Sequence, residues 1–379
     1  MRAMIIRITD PLDAFASISE TFLESRYDVI SRSGLHPTET HLIKALPLSP
    51  APASLLVLGN RTGVLGMIAS RVHPELKVIA SSLDLYHHHA IERNLARNPF
   101  TSVTARCEPD IPERDHFDAV CLQISKGSLS DELILDQLQQ AHQALKRGGA
   151  CLVTAEEKIP WLMEHMKKSF GTCSLRGSDQ TSTLLISRKK QDLKKTRDYR
   201  AEFTMTIPNG RGALLATRPG VFAHRRVDEG AQALAETAAT QPGDIILDLG
   251  CGCGSVGISL AVNQPSAEVV FIDSHSRATA ITEENCKANG LTRFRVILSD
   301  EGLSDENRFT LFVGNPPYYS HDKISDFFIR TAFQTLKPGG RAYIVAKNAT
   351  RNAELMQSLF GNAEILHRRG YQITKSIKR

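Results

Sequence analysis

The sequence has no uninterrupted apolar run near the ~20 residues that a membrane-spanning helix requires. Residues 1–10 show none of the basic start, apolar middle and small-residue cleavage pattern of a secretory leader. Its seven cysteines, an odd number at irregular spacing without any C-x-x-C pair, argue against both a disulfide framework and a zinc site. These absences lead us to expect a protein of the reduced cytoplasm, with neither membrane nor metal as partner.

What is present points to two domains. A chain of 379 residues is too long for one ordinary core, and 41% hydrophobic with 23% charged residues is a soluble globular composition. The net charge of +5 is concentrated in one segment. Arg188, Lys189, Lys190, Lys194, Lys195, Arg197 and Arg200 face only Asp192 and Asp198 there, so the rest of the chain is balanced. Such a run reads as a solvated linker, and an exposed basic linker also attracts nucleic acid. The expected division is residues 1–187, a basic linker 188–200, and residues 201–379.

The two halves read as diverged copies. Leu55-Leu-Val-Leu-Gly-Asn-Arg-Thr-Gly63 lies 191 residues before a matching stretch that ends at Gly254. The same offset sets Glu92-Arg-Asn-Leu-Ala-Arg-Asn98 against Glu283-Glu-Asn-Cys-Lys-Ala-Asn289, and Lys146-Arg-Gly-Gly149 against Lys337-Pro-Gly-Gly340. With one extra residue in the second half, Phe117 to Gln123 falls against Phe309 to Asn315. Agreement at four separated elements is the signature of internal duplication.

In the second half, strands alternate with helices, which predicts a mostly parallel sheet covered on both faces. Apolar Ile245 to Leu249 runs into Gly250, Gly252 and Gly254 and then into Ser255-Val-Gly-Ile-Ser-Leu-Ala261, a strand, tight turn and helix. Further strands are expected at Glu268–Asp273, Phe294–Ser299, Phe309–Val313, Arg341–Ala346 and Gly370–Ile377. Helices are expected from about Ser276 to Asn289, with Ser274 or Ser276 as its cap, and from about Ile324 to Leu336, closed by Pro338-Gly-Gly340. Ligands of such sheets lie beyond the carboxyl ends of the strands. Asp248, Asp273, Asp300 and Asn315 all sit at those ends.

The glycine turn alone does not fix the ligand, because Gly252-Cys-Gly-Ser-Val-Gly257 with Asp273 also fits a dinucleotide pattern. Asn315-Pro-Pro-Tyr318 separates the readings, since a nicotinamide enzyme has no need of it. The first half lacks both features. Val57 stands where the second has Asp248, Arg61 where it has Gly252, Ser82 where it has Asp273, and Gln123-Ile-Ser-Lys126 where it has Asn315 to Tyr318. An arginine at the second turn glycine places bulk where a ligand must approach. The first copy is therefore expected to keep the fold without the site, serving either to support the second domain or to bind a macromolecular substrate.

Asp248-x-Gly-x-Gly-x-Gly254 resembles the first motif of class I S-adenosylmethionine-dependent methyltransferases, and Asn315-Pro-Pro-Tyr318 resembles the N-P-P-[YF] motif of those that methylate a nitrogen on a planar amine or amide. A degenerate copy followed by an intact one resembles the tandem-domain bacterial ribosomal RNA guanine-N2 methyltransferases, as do Pro219-Gly-Val-Phe222 and Asp228-Glu-Gly230. The likeness is strong from about Thr217 onward and weak before the linker. It implies an α/β architecture of two tandem Rossmann-like domains and methyl transfer from S-adenosylmethionine to the N2 amine of a guanine in ribosomal RNA, by a monomer acting on the RNA or a ribosomal subunit. By resemblance, Gly250, Gly252 and Gly254 line the methionine side of the cofactor, Asp248 lies near its amino group, Asp273 takes the ribose hydroxyls and Asp300 the adenine amine. The Asn315 side-chain oxygen and the Pro316 carbonyl accept from the target amine, with Pro316 and Pro317 stiffening the loop and Tyr318 stacking on the base, an interaction worth about 1–3 kcal/mol. These RNA enzymes more usually carry Phe at the position of Tyr318. Tyr is common in adenine-N6 and protein-glutamine methyltransferases, which stand as the alternative. A non-catalytic RNA-binding assembly factor is the alternative from a different class.

Other residues are read as structural. Cys251 and Cys253 are expected to pack as small residues, because a cysteine-nucleophile methyltransferase attacks ring carbon and has no use for the N-P-P loop. His87-His-His89 has no acidic or cysteine partner set, and consecutive residues point in different directions. Arg368, Arg369, Lys375, Lys378 and Arg379, with Arg218, Arg225 and Arg226, form either an RNA-facing rim or a solvated surface.

Overall fold

Two sheets with the same strand order account for the regularity at the 191-residue offset. The structure is a computed structural model and describes residues 37–46, 50–59, 61–97, 102–127, 129–208, 210–303, 307–317 and 322–379. The described chain folds as two units, one ending at Tyr199 and the other beginning at Arg200.

In the first unit, helix α1 (Pro37–Lys44) precedes β1 (Ser54–Leu58), α2 (Val64–Val72), β2 (Lys77–Ser82), α3 (Leu85–Arg97), β3 (Val103–Cys107) and β4 (Phe117–Ile124). Then come α4 (Asp131–Ala144), β5 (Leu145–Ala155), α5 (Ile159–Phe170), β6 (Ser174–Ser178) and β7 (Thr183–Arg188). The sheet order is β3-β2-β1-β4-β5-β7-β6, with β7 antiparallel to both β5 and β6.

The second unit opens with an antiparallel hairpin of β8 (Ala201–Thr206) and β9 (Gly212–Thr217). It continues through α6 (Glu229–Thr237), β10 (Ile245–Leu249), α7 (Ser255–Asn263), β11 (Glu268–Asp273), α8 (Ser276–Ala288), β12 (Phe294–Leu298) and β13 (Phe309–Gly314). Last are α9 (Lys323–Thr335), β14 (Leu336–Ala346), α10 (Thr350–Phe360), β15 (Glu364–Arg368) and β16 (Tyr371–Ile377). Its order, β12-β11-β10-β13-β14-β16-β15, repeats that of the first sheet. The register repeats as well: Ser54 pairs with Lys77 and Ile245 with Glu268, while a shift between Phe117 and Ala119 recurs between Phe309 and Leu311. The fold is thus α/β, two tandem Rossmann-like domains.

Burial of the central strands on both faces explains their near-continuous apolar composition. Ile246, Phe271, Val313 and Val345 pack with the hairpin, α6 and α7. Leu247, Ile272, Phe312 and Ile344 point the other way, onto Phe328 and Ile329 of α9 and Met356 and Phe360 of α10.

Three local expectations change. Helix α9 stops at Thr335, with Leu336 already extended and paired to Phe309, so sheet pairing rather than Pro338 ends it. Helix α8 has His275, not Ser274 or Ser276, as its cap residue, and the His275 side chain makes no cap hydrogen bond. Instead the Asp273 carboxylate accepts from the His275 amide at 2.9 Å. Segment Arg188–Arg200 is not free chain throughout. Arg188 ends β7, and Lys189 is buried, its Nζ donating to Asp115 Oδ1 at 2.7 Å and to the Leu145 carbonyl at 2.8 Å. The Lys189 backbone exchanges hydrogen bonds with Gly148 and Gly149, and Arg197 bonds Gln139. Part of the basic run therefore completes the first unit instead of meeting solvent. Among the described residues, no helix is long and apolar enough to cross a membrane.

Candidate active site

Parallel pairing brings the carboxyl ends of four strands to one edge of the second sheet. Leu249 lies beside both Ile272 and Gly314, and Asp273 beside Leu298. Asp248, Gly250, Gly252, Asp273, Asp300 and Asn315 are thereby gathered at that edge although 67 residues separate the first from the last.

The turn after β10 is held from several sides. Gly250 and Cys251 donate to the Ile272 carbonyl at 2.8 and 3.0 Å, and the Gly252 amide donates to Asp273 Oδ2 at 2.8 Å. Thr282 Oγ1 donates to the Gly252 carbonyl at 2.9 Å. Buried Asn285 Nδ2 donates to the carbonyls of Cys253 and Ala216, both at 2.9 Å, clamping turn to hairpin. Asn94, its counterpart in the first copy, donates to the Thr62 carbonyl in the same way. The Asn shared by the Glu92 and Glu283 stretches is thus a structural clamp on each turn, and its recurrence at the common offset was its only mark in the sequence.

The turn glycines differ in what they face. Gly250 (φ 69°) has Phe328 Cζ 2.7 Å from where a Cβ would sit, so close packing by α9 accounts for it. Gly252 (φ 59°) has no atom of the described chain within 4 Å of that point. Gly254 (φ 80°) caps α7 and abuts Ile258 and Thr282. Only Gly252 combines a left-handed backbone with an open approach for a ligand.

Asp248 is buried, and its Oδ2 accepts from the Gly257 amide of α7 at 2.8 Å. Burial pushes its carboxyl up to about 7; the Gly257 hydrogen bond opposes this and the Asp273 charge adds to it. A site that holds one carboxylate in low dielectric beside another suits a ligand carrying positive charge. Asp300 is buried just past β12, next to Ser299, whose amide donates to the Asp273 carbonyl at 3.0 Å. In the first copy, Val57 is fully buried in an apolar cluster at the Asp248 position, and Ser82 turns its hydroxyl onto the Asp84 carbonyl.

Asn315 follows β13 directly, half-buried, with Pro316 buried and Pro317 half-buried behind it. Its Nδ2 donates to Asp228 Oδ2 at 2.9 Å. Tyr318 lies outside the described residues. Asp228 belongs to the stretch noted beside Phe222, but its link to Asn315, 87 residues away, left no local trace in the sequence.

Cys251 and Cys253 are buried, Cys253 pushed up to about 12 chiefly by burial and Cys251 raised well above its ordinary value, so both thiols stay protonated and serve as packing. Burial, helped by the Arg61 charge, lowers His87 to about 4, and His88 pairs with Glu92. No metal-holding cluster occurs among the described residues. Arg368 and Arg369 bond Glu236, Lys375 bonds Glu364, and Lys378 lies against the Phe333 ring. These cations of the expected C-terminal rim are engaged within their own unit.

Residues 212–375 match the family described as the methyltransferase small domain. Ribosomal RNA small subunit methyltransferase C of Shewanella pealeana is 26% identical over 339 residues, spanning 85% of this chain and 96% of that protein. Ribosomal RNA large subunit methyltransferase G of Streptomyces avermitilis is 27% identical over 352 residues, 87% of this chain and 88% of that protein. The T. thermophilus 16S rRNA N2 G1207 methyltransferase, solved in complex with AdoMet and guanosine, superposes with a TM-score of 0.74 at 20% identity, covering 92% of this chain and 93% of that one. Residues 212–375 of this chain thus match a methyltransferase small domain, and over most of its length the chain is similar to proteins named as ribosomal RNA methyltransferases.

Proposed function

We infer that this protein transfers a methyl group from S-adenosylmethionine to the exocyclic N2 amine of a guanine in ribosomal RNA. The observation that carries the reading is the meeting, at one sheet edge, of the Asp248–Gly254 turn and Asn315-Pro-Pro317. The relatives named for ribosomal RNA methylation support the RNA class over most of the chain's length.

The cofactor supplies a methyl on a sulfonium, already activated for transfer. Asp248 would receive its positively charged amino group, the Gly252 turn would line its methionine portion, and Asp273 would take the ribose hydroxyls and Asp300 the adenine amine. Buried Asp248, raised by desolvation, fits a cationic group. The remaining chemistry is positioning. A guanine amine is a poor nucleophile because its lone pair is delocalised into the ring. Acceptors aimed at its hydrogens favour the pyramidal, positively charging nitrogen of the transition state. Asn315 Oδ1 and the Pro316 carbonyl take that role, and two prolines limit reorganisation of the loop. Tyr318 stacks on the base, which is swung out of any helix to reach the pocket. A strong base is unnecessary, since the proton becomes acidic once nitrogen is methylated. The protein acts in the cytoplasm as a monomer without metal, and its first unit supports the second or binds RNA.

The test is methylation of separated ribosomal RNAs and ribosomal proteins with labelled donor, followed by mapping of the product. Label at guanine N2 is the expected result. Label confined to protein, or to adenine N6, would transfer the chemistry to another target.

A further inference from the structure

We propose that Asp228 is a positioning residue for methyl transfer: its carboxylate fixes the Asn315 carboxamide so that Oδ1 is turned toward the target amine. The proposal rests on the reading of Asn315 as an acceptor and goes beyond it by naming what orients that acceptor.

A carboxamide presents NH2 and oxygen at nearly equal reach, and rotation by half a turn exchanges them. Only one orientation leaves an acceptor for an amine. Asp228 Oδ2 receives Asn315 Nδ2 at 2.9 Å. A carboxylate has no hydrogen to give, so the opposite orientation would set oxygen against oxygen. The choice is made before any substrate arrives.

Asp228 is itself fixed. It is the cap residue of α6, and the same Oδ2 accepts from the Ala231 amide at 2.8 Å. Positive charge density at a helix start favours a carboxylate there. The helix is tied down in turn. Gln232 Nε2 donates to the Thr206 carbonyl at 2.8 Å, and Glu236, its side chain only 1% exposed, accepts from Gln232, Arg368 and Arg369. Space for the freed oxygen comes from Gly230. A Cβ there would lie 3.0 Å from Asp228 Oδ2 and 3.2 Å from Tyr371 Cε1, crowding both, and would touch Asn315 Oδ1 at 3.4 Å. Asp228-Glu-Gly230 is thus a carboxylate that turns the amide and a glycine that leaves it room.

A cap alone would also explain Asp228, so the test separates the two roles. Asp228→Ser keeps an oxygen that caps α6 but is too short to reach Asn315, whereas Asp228→Asn keeps an acceptor for both. We expect Asp228→Ser to lower kcat for RNA methylation at least tenfold, with cofactor Kd, RNA KM and melting temperature little changed, and Asp228→Asn to recover most of the loss. In cofactor-free protein labelled with 15N, the Asn315 side-chain amide resonances should move in Asp228→Ser and stay near their original place in Asp228→Asn. Wild-type kcat in Asp228→Ser, or unmoved Asn315 resonances, would overturn the proposal. Should Asp228→Ser not fold, Asp228→Thr takes its place with the same expected losses, since its hydroxyl also caps α6 and is equally short of Asn315. Absence of methyl transfer by the wild type to any RNA would instead sink the function, leaving the resonance test of the amide's orientation intact.

Discussion

Asp248 accepts a hydrogen bond from the Gly257 amide at 2.8 Å, yet burial keeps its carboxyl near 7, well above the ordinary 3.8. Between these values the folded chain holds a proton that the unfolded chain has lost. Stability therefore falls as pH rises through that window and levels off above about 7. At about 1.4 kcal/mol per pH unit the full effect is at most a little over ~4 kcal/mol. Asp248→Asn removes it, so the melting temperature of this variant relative to wild type should rise between pH 5 and pH 8. A pH-independent difference would contradict the assignment. A cationic ligand beside Asp248 also favours its charged form, so cofactor binding near pH 6.5 should release a proton in wild type and none in Asp248→Asn. Calorimetry in buffers of different ionisation enthalpy measures this.

The turn glycines should part company on substitution. Gly250→Ala meets both a left-handed backbone and Phe328, and should cost roughly 2–4 kcal/mol of stability. Gly252→Ala carries the backbone strain alone, about 1–2 kcal/mol, but should weaken S-adenosylmethionine binding at least tenfold. Thermal melts beside cofactor titrations distinguish the two, and equal cofactor affinity in both proteins would deny Gly252 its proposed role.

Asn315→Ala should lower kcat by about a hundredfold or more, the scale of losing one transition-state hydrogen bond in a dry site. Cofactor affinity should stay within a few-fold. Single-turnover assays with labelled donor give both quantities, and full turnover in the variant would remove Asn315 from the chemistry.

One cofactor should bind per chain. In the first copy Val57 and Ser82 replace the two carboxylates and Arg61 replaces the open glycine. Titration calorimetry giving a stoichiometry near two would show that the eroded copy still binds.

Chain order alone carried much of this protein. Apolar strands buried on both faces, helices between them and a constant 191-residue offset dictated two like α/β domains, because period and burial are local properties of the residues. Residue types at strand ends also marked the turn at Asp248 to Gly254 and the loop at Asn315 as partners in one site. Tertiary structure decided what depends on neighbours distant in sequence. Gly250 answers to Phe328, Lys189 to Asp115, and Asn285 to the hairpin. Asn315 is turned by Asp228, which the sequence marked only as part of a family-like stretch, with no sign of its partner. Hydrogen bonds and close packing across a sheet edge have no period to read, so their partners emerge only when parallel strands bring the ends of their loops together.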